Sequence, residues 1–216
     1  MSIRVLIADD HPIVRDGLRF CIKRWGADIE IVGEASNGME VLKLAKRHPI
    51  DVLVLDIAMP LLNGLDTTRA LLREHPTAKV IILSFHNTRS FVEEAIRAGA
   101  RGYLTKETAS QNIVEAIREI ASGRFYLSPD VAQFMVEFAL RGHRGRANRG
   151  PGVLTARERR VLQLIAEGKT SKEIASLLKL ATNTVNAHRK NLMAKLEVHK
   201  QTDLVRIALR EGIVEP

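Results

Sequence analysis

The fold expected from this sequence is α/β. It is a doubly wound, five-stranded parallel sheet of strand order 2-1-3-4-5, followed by a small all-α domain of four helices. Three observations predict it. Through the first 123 residues, short Val/Ile/Leu runs alternate with longer helical patterns, and strands apolar on both faces belong to covered parallel sheets. Beyond residue 153 the periodicity is wholly helical. Between them, "GHRGRANRGPG" at 142–152 holds glycines and arginines with no apolar run, the composition of a flexible tether.

The elements follow in order. Strands are expected at 4–8, 29–35, 52–56, 79–84 and 102–105, with helices near 13–25, 38–47, 65–74, 88–98 and 111–122. Five such units in sequence give the doubly wound topology. The spacing predicts one further helix over 129–141, inside a linker spanning 124–152. The last domain, 153–216, begins with "TARE" at 155–158, where Thr155 and Glu158 form a capping box. Its first helix closes at Gly168, and helices follow at 171–179, 182–197 and 202–211. Such closely joined short helices form a helix-turn-helix.

Composition narrows the class of function. The chain has 216 residues, 45% of them hydrophobic and 27% charged, as in a water-soluble globular protein. No apolar run reaches membrane-spanning length, and no basic segment with a long apolar stretch opens the chain, so the expected location is cytoplasmic, with no membrane partner. The single cysteine, Cys21, stands at an apolar helix position and is expected to be a small core residue. Residues 1–123 are charge-balanced, so the whole +8 excess lies beyond them. That asymmetry directs a polyanionic partner to the C-terminal part.

In a parallel α/β sheet, ligands sit beyond the carboxyl ends of the strands, where strand order reverses. Asp9 and Asp10 follow the first strand, Asp56 ends the third, Ser84 ends the fourth and Lys106 follows the fifth. Converging carboxylates invite a hard divalent cation, and oxygen-only ligation favours Mg²⁺. A carboxylate is also a nucleophile able to form an aspartyl-phosphate, with Lys106 and Ser84 placed to hold phosphoryl oxygens.

Residues 1–123 resemble a two-component receiver domain. The matching pieces are "ADD" (8–10), "LDIAMPLLNG" (55–64), "LS" (83–84) and "GYLTK" (102–106). The resemblance implies Asp56 as phosphoacceptor, with Asp10 and Asp56 ligating Mg²⁺ through their side chains. It adds the backbone carbonyl of Ala58 as a third ligand and gives Asp9 a water-mediated part. Tyr103 matches the family's aromatic switch position, and the tyrosine by itself reads equally well as a half-buried aromatic with its hydroxyl in water. Phe85 departs from the commonest pattern, in which a small residue often follows the Ser/Thr, and is expected to crowd the site's entrance. A phosphatase of the haloacid-dehalogenase type shares the aspartate nucleophile, but its D-x-D strand is absent here.

In the helix expected at 182–197, Val185, His188, Leu192 and Leu196 share a core-facing side. Asn183, Asn186, Ala187 and Lys190 share the outward side. Such a face reads base edges from the major groove: Asn186 suits adenine, Lys190 guanine and Ala187 a thymine methyl. Lys172, Thr184 and Arg189 are placed for phosphates. "LTARE", "KEIA" and "TVNAHRKNLMAKL" together make 153–211 similar to the LuxR-type helix-turn-helix of NarL/FixJ response regulators. Ala181 stands where that family usually has a capping Ser, and Thr182 is the expected substitute.

These readings combine into a DNA-binding transcriptional regulator, not an enzyme in its own right, controlled by phosphorylation at Asp56. Its implied partners are double-stranded DNA, a sensor histidine kinase as phosphoryl donor, and a second copy of the chain when phosphorylated. The alternative is a phosphorylation-independent DNA binder whose first domain only dimerises or binds a partner.

Overall fold

A computed structural model describes residues 2–85, 89–140, 154–198, 200–210 and 213–214. The chain divides into two compact units, Met1–Gly142 and His143–Pro216. The expected tether at 142–152 lies outside the described residues, as does residue 211, the expected last position of the final helix.

The first unit alternates strands and helices. They are β1 (Ile3–Ala8), α1 (Pro12–Trp25), β2 (Ile29–Ala35), α2 (Gly38–Ala45), β3 (Val52–Asp56), α3 (Gly64–Glu74), β4 (Lys79–Ser84), α4 (Arg89–Ala98), β5 (Gly102–Thr105), α5 (Lys106–Ala121), β6 (Tyr126–Leu127) and α6 (Pro129–Leu140). All pairings are parallel, in the order β2-β1-β3-β4-β5-β6. The predicted order 2-1-3-4-5 is therefore present, with one strand more than expected.

Strand alternation divides the core into two layers. Leu6, Leu53, Leu55, Val80, Ile82 and Tyr103 face one apolar cluster, joined by Val41, Leu65, Leu71 and Val92 from helices. Val5, Ile7, Val52, Val54, Ile81 and Leu83 face the other, with Leu18, Ile22, Ile113 and Ile117. Successive side chains point to opposite faces of a strand, so each Val/Ile/Leu run is apolar throughout because both faces are covered. Cys21 is buried in the second cluster as expected, and burial pushes its thiol pKa up.

Two boundaries differ from expectation. The segment 124–140, read from sequence as the start of a linker, folds onto the sheet instead. Tyr126 and Leu127 pair with Gly102 and Tyr103, and α6 buries Val131 in the first cluster with Met135 packed against it. A two-residue strand has no periodicity to read; it forms because β5 otherwise leaves an open edge. Helix α5 also begins five residues before the expected 111, at Lys106 itself. The polar start "KETAS" hides that turn from an apolar-period reading.

The second unit consists of α7 (Ala156–Ala166), α8 (Ser171–Leu178), α9 (Thr182–Lys195) and α10 (Gln201–Arg210). The Thr155–Glu158 capping box is formed, and Gly168 takes a left-handed φ of 77° just past α7. A second box, Thr170 with Glu173, starts α8. Ala181 is the N-cap of α9 and supplies no side-chain bond, so Thr182 is the first helical residue and does not replace the missing cap. Leu162, Ile165, Ile174, Val185, Leu192 and Leu204 form the small core. Ile207 and Ala208 are buried there too, so most of α10's apolar stripe belongs to its own domain.

Candidate functional site

Parallel register brings the carboxyl ends of the strands to one level. Ala8 pairs with Leu55, Asp56 with Leu83, and Ser84 with Thr105. Asp9, Asp56, Ser84 and Lys106 therefore meet at one rim. Gly64 permits the close return of α3: a Cβ there would stand 2.1 Å from the Asp56 carbonyl oxygen. In the same loop Leu61 holds a left-handed φ of 64°, a conformation that costs a non-glycine residue about 1–2 kcal/mol.

Asp9 and Asp56 are 0% exposed. The Lys106 ammonium, 3% exposed in its side chain, lies 2.9 Å from an oxygen of each. Burial works against that positive charge, but the attraction of Asp56 and Asp9 outweighs it and holds the Lys106 pKa above its ordinary value. As the first residue of α5, Lys106 also sits at the end of a helix that disfavours cations. The two aspartates hold it there.

Asp9's second oxygen accepts from the His11 backbone N–H at 2.9 Å, and Arg15 donates to the Asp9 carbonyl at 2.7 Å. Asp10 is the more open acid, with its Oδ1 2.8 Å from His11 Nδ1. One ligating atom each from Asp9, Asp10, His11 and Asp56 lies within 4.8 Å of the others. Three carboxylates against one ammonium leave a net negative rim. That donor set fits a hard divalent cation. Ala58 lies in the bend after β3, partly exposed.

Ser84 is fully buried at the end of β4. Tyr103 is 1% exposed, and its hydroxyl hydrogen-bonds with Ser84. Burial, the larger influence, drives the tyrosine pKa well above its usual value. The reading of a half-buried ring with its hydroxyl in water is thereby overturned. Tyr103 belongs to the same buried apolar cluster as Phe91, Val92 and Val131, the last contributed by α6, the helix expected over 129–141. Phe85 is 54% exposed, and its ring centroid is 5.0 Å from the Lys106 nitrogen, within cation–π range.

The other unit presents the opposite environment. Asn183, Thr184, Asn186, Ala187, Lys190 and Lys172 are all exposed, while Val185 and Leu192 are buried and His188 is intermediate. Arg189 is only partly exposed and donates to the Ser171 hydroxyl at 3.0 Å. It thus ties α9 to the start of α8, besides any outward role. Lys195 pairs with Glu158 at 2.7 Å, and Arg157 caps the last carbonyl of α8 at 3.2 Å. These contacts hold α9's outer face in a fixed attitude to α8.

Sequence reasoning missed two participants. His11 adjoins the acids, and that adjacency was the available signal. Ser171, the anchor of Arg189, gave no signal, because its partner is 18 residues away.

Comparison with known proteins agrees with this geometry. Residues 5–118 match the response regulator receiver domain, and residues 152–208 match the luxR family of bacterial regulatory proteins. The chain is 38% identical over 213 residues to the transcriptional regulatory protein MctR of Rhizobium johnstonii, covering 99% of this chain and 96% of that one. It is 36% identical over 217 residues to the response regulator GacA of Pseudomonas aeruginosa, covering 99% and 98%. Among solved structures it resembles RcsB of Salmonella enterica bound to a promoter in the presence of the phosphomimetic BeF3⁻. There the TM-score is 0.65 at 25% identity, covering 95% of this chain and 98% of that chain. An acid rim at the carboxyl ends of a receiver sheet, followed by a LuxR-type helix-turn-helix, places this chain among the two-component response regulators of the NarL/FixJ family.

Proposed function

We propose that Asp56 is the phosphoacceptor and that its phosphorylation controls sequence-specific binding of double-stranded DNA by the C-terminal domain. The observation that carries this reading is the buried trio of Asp9, Asp56 and Lys106, with both ion pairs at 2.9 Å. An Asp56 oxygen attacks phosphorus, and the bond from phosphorus to the kinase histidine breaks. Lys106, already at the nucleophile, meets the transferred phosphoryl oxygens as a fixed positive charge. Ser84 supplies a hydroxyl to the same group, and its bond to Tyr103 couples that contact to the β5 face. The side chains of Asp10 and Asp56 and the Ala58 carbonyl, with Asp9 acting through water, would hold a Mg²⁺ ion, which would supply positive charge against the phosphoryl oxygens.

Downstream, Asn183, Asn186, Ala187 and Lys190 read bases, and Lys172, Thr184 and Arg189 meet phosphates. A single small module binds few base pairs, so a homodimer on a two-fold site is the binding species. The protein works in the cytoplasm as a regulator; its own chemistry is confined to accepting and losing one phosphoryl group. The test is selection of bound sequences from random duplexes, with and without beryllofluoride, for the wild type and Asp56→Ala. Wild-type binding strengthens with the mimic, and Asp56→Ala ignores it. A variant responding like the wild type refutes the assignment, and equal wild-type affinity in both conditions favours the phosphorylation-independent alternative. Phe85→Ala opens the mouth of the site and frees Lys106 of its ring contact. A shorter phosphoryl lifetime is expected, and an unchanged one removes Phe85 from the account.

A further inference from the structure

Lys106 fixes two of the three acids, Asp9 and Asp56, at 2.9 Å. Asp10 is the more open one, its side chain 31% exposed, and its direction has to come from the backbone that carries it. That backbone is pinned on both sides. The Asp9 N–H donates to the Ala35 carbonyl at 3.2 Å, and the His11 N–H donates to the Asp9 carboxylate at 2.9 Å. Between them, the carbonyl of the Asp9–Asp10 peptide accepts from Arg15 Nη1 at 2.7 Å. A peptide group is planar, so holding this oxygen sets the plane from which the Asp10 side chain departs.

Arg15 is itself held. Its side chain is only 19% exposed, and its Nε lies 3.5 Å from Glu34 Oε2 on β2. The other Glu34 oxygen meets Arg19 Nη1 at 2.7 Å. The Arg15 guanidinium therefore joins α1 to the end of β1 and to β2, a span that suits a planar fork and not a single ammonium. Helix formation gives no reason for a cation here, since the start of a helix favours acids.

Building on the receiver reading and its cation, we propose that Arg15 is a positioning residue: by fixing the Asp9–Asp10 peptide it aims the Asp10 carboxylate at the place where Mg²⁺ would bind. The competing role is electrostatic, a counter-cation that offsets the acids from behind. The two roles differ in sign. A lost aim weakens Mg²⁺ binding, whereas a lost counter-cation leaves the rim more negative and strengthens it.

Calorimetric titration of the full chain with Mg²⁺ separates them, using the wild type, Arg15→Ala, Arg15→Lys, Arg19→Ala and Asp10→Ala, with folding checked by circular dichroism. Arg15→Ala is expected to weaken Mg²⁺ binding about tenfold, the scale set by residues that orient a metal ligand. Arg15→Lys keeps the charge but loses the fork. It is expected to bind Mg²⁺ about threefold more weakly than the wild type, and it carries the test if the alanine variant does not fold. Arg19→Ala removes an equal charge from Glu34 without touching the peptide, and is expected to change affinity less than about twofold. A second readout is phosphorylation of Asp56 by phosphoramidate at varied Mg²⁺. In Arg15→Ala the half-saturating Mg²⁺ concentration should rise about tenfold while the rate at saturation stays within about twofold, because the Lys106 pairs are untouched. Unchanged or tighter Mg²⁺ binding in Arg15→Ala, full recovery by lysine, an equal loss in Arg19→Ala, or a slower saturated rate at an unchanged Mg²⁺ requirement each overturn the proposal. If Asp10→Ala loses Mg²⁺ and Arg15→Ala does not, the receiver reading stands and Arg15 alone leaves the account. If the wild type binds no Mg²⁺, or Asp10→Ala binds it as well as the wild type, the cation reading falls and the proposal with it.

Discussion

The rim of the receiver and the outer face of α9 both carry charge, but they hold it in opposite ways. At the rim, two carboxylates and an ammonium are almost wholly out of water and compensate one another at 2.9 Å. On α9 and α8, Asn186, Lys190 and Lys172 stand in solvent. Buried charge is costly unless paired, so the rim depends on Lys106, and a phosphoryl group added at Asp56, as proposed, would disturb that pairing. Exposed charge costs little and leaves its donors available to a docking duplex. Under the proposed function the first region is the one switched and the second the one that reads.

The sharpest way to break that contrast is to make the same change in both regions. Lys106→Ala strands Asp9 and Asp56 without their buried counter-ion, and the receiver should lose about 3–5 kcal/mol in urea unfolding. Lys172→Ala should leave unfolding unchanged and lower the salt slope of DNA binding by about 1. Equal stability effects would erase the distinction between the regions.

Asn186→Ala tests whether the exposed face specifies sequence. A loss of about 1–3 kcal/mol on the selected duplex, with non-sequence-specific binding unchanged, is expected. A smaller effect concerns the uncapped start of α9. Ala181→Ser should stabilise the C-terminal domain by about 0.5–1 kcal/mol in thermal unfolding.

The Lys106 ion pairs and the capping glutamates of the C-terminal domain should also answer pH from opposite ends. Glu158 is held below the usual carboxylate range chiefly by Lys195, and Glu173 by the Thr170 hydroxyl. A carboxylate with a depressed folded pKa contributes stability above its unfolded pKa and loses it as pH falls through the folded value. The C-terminal domain should therefore melt earlier as pH is lowered through the acid range, less steeply in Glu158→Gln. Lys106, raised by Asp56 and Asp9 against the effect of burial, contributes below its ordinary pKa and is lost as pH rises through the folded value. Receiver unfolding followed at alkaline pH checks that sign.

How much was legible follows from how local each signal is. Val5–Ala8, Val52–Asp56 and Lys79–Ser84 are readable because a strand covered on both faces is apolar at every position, and the acids at their ends stand out by contrast. The Thr155 capping box lies within four residues and is equally visible. The early start of α5 was hidden by its polar first turn, and β6 by its two-residue length. The bond from Arg189 to Ser171 was hidden because the partner lies on another helix.

The sequence by itself determined the two domains' fold classes, the strand order and the set of acids, serine and lysine at the strand ends, since periodicity and spacing are properties of the chain. Tertiary structure alone decided that Asp9 shares Lys106 with Asp56, that Tyr103 is buried with its hydroxyl on Ser84, and that His11 turns into the acid rim. The reason is physical: a pairing between distant residues is chosen by burial, which removes the competing water and leaves each charged or polar group only the partners that packing brings within reach.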